Sequence, residues 1–119
     1  MTTVADICVA LVALLHACFL VLEMFLWDKP TGRRVFGLTR EFAAQSRKLA
    51  ANQGLYNGFL AAGLVWGLLQ STAGDAIKIF FLACVIVAGV FGALTVNRKI
   101  LWVQALPGVV ALVLVLAAR

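Results

Sequence analysis

Four apolar runs, each about twenty residues long, leave this chain few ways to fold. They cover about residues 4–27, 49–70, 76–96 and 100–118 of 119. A bilayer core of roughly 30 Å takes about 20 mostly apolar residues per helix. In lipid, backbone N–H and C=O groups find partners only within the protein, so such runs become helices. Composition argues against a soluble domain. The chain is 64% hydrophobic and 13% charged, with a mean hydropathy of +1.05. Soluble domains run nearer ~45–50% apolar and ~25% charged. The runs fill most of the chain, so the expected architecture is all-α. It is a polytopic membrane four-helix bundle forming a single transmembrane domain over residues 1–119.

Basic side chains predict the orientation, because Lys and Arg collect in cytoplasmic loops. Lys29, Arg33, Arg34, Arg40, Arg47 and Lys48 follow the first run, and Arg98 and Lys99 follow the third. These are eight of the ten Lys and Arg; only Lys78 and Arg119 fall on the other side. Both termini are therefore expected outside, and the long basic hairpin in the cytoplasm. The net charge of +5 then reads as a topology signal. The expected partner is the lipid bilayer with its anionic headgroups, and nucleic acid is not expected. The first run is read as a permanent helix and not a signal peptide. It lacks a basic leading region, Asp6 being the only charge near its start, and it is too long.

Turn chemistry divides the runs. Asp28-Lys29-Pro30-Thr31-Gly32 ends the first helix. Thr39 is placed to cap the second, with Glu41 in its first turn where an anion suits the dipole. That helix is expected to project two or three turns beyond the membrane. Residues 71–75 and 97–99 form tight turns, and Pro107 predicts a kink in the fourth helix. Gly54-xxx-Gly58 and Gly63-xxx-Gly67 allow close helix contact, with Gly89, Gly92 and Ala93 of the third helix as the expected opposing surface. Trp27, Trp66 and Trp102 near run ends fit an interfacial belt. Cys8, Cys18 and Cys84 show no metal-ligand spacing and read as packing residues, so no metal site is expected.

The candidate site is a layer of polar groups below the lipid surface. Glu23 and His16 stand seven residues apart on one face of the first helix. An ionised carboxylate at the bilayer centre costs about 2.5–3.5 kcal/mol, and such residues commonly face the bundle interior and mark a site. The plain alternatives are a Glu23 that reaches back to the headgroups and a His16 that only bonds a neighbouring helix. The second helix starts from the same side. It brings Asn52, Gln53, Tyr56 and Asn57 to the depth of Glu23, with Gln53/Asn57 and Asn52/Tyr56 as i, i+4 pairs. Asn97, Arg98 and Gln104 fall at the same level. Glu23, Asn52, Gln53, Asn57, His16, Tyr56 and Arg47 are thus the candidate ligand-binding residues.

The stretches "LEMFLW", "RRVFGLT" and "LAANQGLYNGFLAAGL" give the chain, over nearly its whole length, a resemblance to a bacterial family known as domain of unknown function 1304. The resemblance implies a small four-span protein of the bacterial inner (plasma) membrane and no particular activity. Residues 40–57 are also similar to the second helix of membrane-associated eicosanoid and glutathione metabolism proteins. Those are four-span trimers that hold glutathione between subunits through Arg, Asn and Glu. On that likeness Arg47, Asn52 and Asn57 are the matching positions, with Glu23 or Gln53 adding polarity. Leu55 and Tyr56 stand where that family carries an acidic residue.

Three readings follow. The first is a module that binds or moves a small molecule in a polar pocket in the cytoplasmic half. The second is a glutathione-dependent membrane enzyme acting on lipophilic substrates, with a homo-oligomer as its implied assembly. The third is a structural membrane subunit whose polar layer only fixes helix register. The residues alone name no catalytic group and no cofactor.

Overall fold

The computed structural model describes residues 2–119. In chain order it has α1 (Thr2–Met24), α2 (Pro30–Phe36), α3 (Arg40–Leu69), α4 (Gly74–Thr95), a π-helical turn (Leu101–Ala105) and α5 (Leu106–Ala117). No strand occurs among the described residues. By length and composition α1 and α4 can cross a membrane, and the stretch Leu101–Ala117 is a shorter apolar helix. Helix α3 is the longest element, yet its charges and amides keep it outside that class. Contacts divide the chain into two compact units, Leu15–Phe59 and the remainder.

In the unit Leu15–Phe59, α1 stops at Met24, one turn earlier than the apolar run suggests. Pro30 is the cause. It disfavours helical backbone in the residue before it, and Lys29 is extended, with φ −89° and ψ 161°. Pro30 then opens α2, a short helix that the charge-rich sequence hides. Gly32 lets α2 dock, because a Cβ there would collide with the Leu26 carbonyl oxygen. Gly37 ends α2 in the left-handed region at φ 65°, while Leu38 N–H closes back on the Arg33 carbonyl at 2.9 Å. Thr39 caps α3 as expected, its hydroxyl accepting from Phe42 N–H at 3.1 Å. Trp27 ties the corner together. Its ring lies 4.9 Å from that of Phe36, and its indole N–H donates to Ser46 Oγ at 3.0 Å.

In the other unit, Ala5, Val9, Val12, Ala13, Leu64, Leu82, Val85, Ala111 and Val115 form the core. The small residues among them let helices approach closely. Gly63 and Gly67 do meet the third run, but against Phe81, Ile77 and Lys78. Gly89 and Gly92 instead face the last helix: a Cβ on Gly89 would lie 2.8 Å from Ala105 N, and one on Gly92 3.1 Å from Ile100 Cγ2. The expected pairing of the two glycine sets is therefore corrected.

Pro107 acts as foreseen, through a specific device. It has no N–H for the carbonyl one turn earlier, and the preceding turn widens so that Leu106 N–H bonds Leu101 O. Such single π turns interrupt helices and frequently sit at functional positions. Here the widened turn aims Gln104, whose amide donates to the Val85 carbonyl at 3.2 Å. The tight 97–99 turn is closed by Lys99 N–H bonding Asn97 Oδ1 at 2.9 Å.

Candidate functional site

The polar side chains of α3 fall on two faces. Residues in a helix advance about 100° each, so Asn52 and Tyr56 stand about 160° from Gly54, on the far side of the helix. Both are exposed. Gly54 and Asn57 lie on the near face and are buried. A Cβ on Gly54 would come 2.7 Å from Met24 Cγ and 3.0 Å from Glu23 Cβ, so the glycine brings α3 directly against α1. Gly58, one turn on, sits against Leu20 in the same way. This close contact is what lets a short side chain on one helix reach the other.

The contact is Asn57 Nδ2 donating to Glu23 Oε1 at 2.5 Å. Glu23 is 5% exposed and Asn57 8%. The Gln53 side chain, one turn before Asn57, lies close to the same carboxyl group. Gln53 is itself exposed, so it connects the buried carboxyl with the surface. Glu23 does not reach back to a basic headgroup-level partner, because a nearer amide holds it. His16 is wholly buried and packs edge-on to Phe19, with ring centroids 5.4 Å apart. Arg47 lies on the exposed surface of α3.

The chain therefore bonds Asn57 to Glu23 with Gln53 beside them, and turns Asn52, Tyr56 and Arg47 outward. Depth also changes. Glu23 lies level with Gly54, whereas Trp27 lies level with Ser46, eight residues earlier on α3. That separation is about 12 Å along the helix, roughly twice the spacing that continuing α1 to Trp27 implies.

A second buried polar group escaped the sequence reading, which counted Lys78 only as an orientation signal. Lys78 is 6% exposed, and its ammonium bonds Asp6 at 2.8 Å and Asp75 at 3.3 Å. Gly67 makes room for its stem, since a Cβ there would lie 2.9 Å from Lys78 Cγ. A lone Lys in an apolar run with an Asp three residues earlier was the available signal. An open groove of about 320 Å³ lies in the same unit, lined by Trp66, Ala73, Ala76, Ile77, Phe80 and Phe81. None of these is a polar candidate, so this groove and the polar chemistry do not coincide.

Comparison with known proteins agrees with the motif resemblance. The chain is 34% identical over 115 residues to YpaA, an uncharacterized protein of Lactococcus lactis subsp. lactis (strain IL1403), covering 95% of this chain and 97% of that one. No solved structure matches the chain. The family model described as "Protein of unknown function (DUF1304)" matches residues 10–116, and the chain belongs to that family.

Proposed function

We propose that this is a multi-pass protein of the bacterial inner membrane that binds or moves a small polar molecule at Glu23. Four spans are formed by α1, α3, α4 and the helix Leu101–Ala117, with both termini outside and α2 in the cytoplasm. The observation that carries the reading is the Glu23–Asn57 bond, a nearly unexposed carboxyl group held across two helices inside apolar sequence. A helix contact made of Gly54, Gly58 and Leu20 would pack without it. Buried polar groups in spans are expensive and mark substrate or ion paths more often than they serve packing alone. Gln53 supplies the access. Its exposed side chain can rotate away without moving a helix, which opens one acceptor edge of Glu23 to a ligand bearing N–H or O–H donors.

The test is chemical. Protein is purified from membranes in mild detergent, and the small molecules it retains are extracted and compared by mass spectrometry for wild type and Glu23→Gln. Glu23→Gln keeps the shape and removes the carboxylate. A polar compound enriched with wild type should fall roughly tenfold in Glu23→Gln, the loss expected for one hydrogen bond to a charged group. Equal retention in both proteins overturns the assignment.

A second reading has one observation in its favour. Arg47, Asn52 and Gln53 are exposed on α3, which suits a tripeptide held between copies of the chain, as in the glutathione-dependent enzymes. Calorimetry with glutathione distinguishes it. Heat at about millimolar ligand that vanishes in Arg47→Gln supports this reading, and no heat at that concentration excludes it.

A further inference from the structure

The corner made by the end of α1, α2 and the start of α3 carries a concentration of charge that the Glu23 group does not use. Between residues 28 and 48 stand Lys29, Arg33, Arg34, Arg40, Arg47 and Lys48, against only Asp28 and Glu41. Most of these basic side chains are exposed, and Arg33 differs. Its residue is half-buried, and its Nε is shut off from solvent with no hydrogen-bond partner among the described residues. A buried donor lacking an acceptor is uncommon and calls for an explanation. The position leaves it little choice. Gly32 seats α2 against the Leu26 carbonyl, and the left-handed turn at Gly37 closes on the Arg33 carbonyl, so both sides of Arg33 are fixed.

We propose that this corner binds the headgroup of an anionic phospholipid, with Arg33 as the principal ligand to its phosphate. The Nε–H and one Nη–H lie on the same edge of a guanidinium, and a turn of the side chain that uncovers this edge lets it grip two phosphate oxygens in parallel, which a lysine cannot do. Arg34 and Arg40 supply further positive charge from the exposed surface. Free phosphate would satisfy the same donors. The surroundings select a lipid: Phe25, Val35 and Phe42 are exposed large apolar side chains of this same unit, and Trp27 anchors it. Apolar and aromatic side chains interleaved with Arg suit the boundary between headgroups and acyl chains. The proposal rests on the membrane-spanning reading and is independent of Glu23.

Carbonate extraction of membranes first establishes whether the chain is integral, so failure of the membrane reading shows separately. Native mass spectrometry of the full chain, delipidated and mixed with phosphatidylglycerol and phosphatidylcholine, then counts bound lipid. Wild type should hold phosphatidylglycerol roughly fivefold over phosphatidylcholine. Arg33→Lys keeps the charge and loses the paired donors, so its preference should fall to near one. Arg34→Gln should keep most of it. Arg33→Lys with wild-type preference overturns the assignment, leaving only diffuse charge. So does inorganic phosphate that displaces phosphatidylglycerol at about millimolar concentration, since the site would then be one for the free anion.

Discussion

Asn57 shows at the scale of one residue how much depends on the Glu23 contact. Its amide is the near partner of a carboxyl group with almost no access to water. Removing it takes away the bond that holds that group. A buried polar group deprived of a partner costs about 1–3 kcal/mol. Asn57→Ala should therefore lower stability by that order, read as an earlier midpoint on titration with a denaturing detergent. Asn52→Ala should change it little, because Asn52 stands on the exposed face. The sequence made Glu23 and Asn57 visible, since polar residues in apolar runs are conspicuous. It did not tell Asn57 from Asn52. That distinction needs the rotation of α3 about its axis, which Gly54 and Gly58 settle by packing on Leu20, Glu23 and Met24. An amide-rich stretch carries no such phase by itself.

At the scale of elements, boundaries followed local chemistry and partners did not. Thr39 and Pro107 do what their side chains require wherever they occur, so the start of α3 and the break before α5 were legible. Helix α2 was hidden by its charges, although Pro at its start and Gly after its end are the expected signs. Glycine partners were illegible for a different reason: a small residue says that something approaches, not what. Gly89 is the clearest case, with Ala105 of the π turn closer than any Cβ could tolerate. Gly89→Leu should destabilise by about 1–3 kcal/mol, the usual cost of overpacking. Gly37→Ala should cost about 1 kcal/mol from backbone strain alone, its Cβ meeting nothing within 4 Å. Thermal unfolding followed by circular dichroism ranks the two.

For the whole molecule, the proposed topology takes α3 as a span in spite of its amides, one of which, Asn57, is bonded to Glu23. Cysteine labelling in intact cells, in a background with Cys8, Cys18 and Cys84 replaced, tests the proposed topology. A cysteine at Arg34 should be shielded from an impermeant maleimide, and one at Ser71 or Arg119 should be labelled. The opposite pattern reverses the orientation, and labelling of all three contradicts a four-span topology. Composition announced helices long and apolar enough to cross a membrane, and α1 and α4 are two such helices. It could not reveal that Lys78 is neutralised by Asp6 and Asp75, because Asp6 is distant in sequence.

The central claim is that the Glu23–Asn57 bond is kept for binding and not for folding. The most direct measurement takes the double variant Glu23→Met/Asn57→Leu, which replaces both partners with apolar side chains of similar size, and records stability and retained small molecules together. Well-packed apolar replacements of a buried polar pair are often neutral or stabilising. A bond kept for binding predicts a double variant at least as stable as wild type and clearly more stable than Asn57→Ala, yet stripped of the polar compound that wild type carries. A double variant that keeps the compound, or that unfolds as readily as Asn57→Ala, contradicts it.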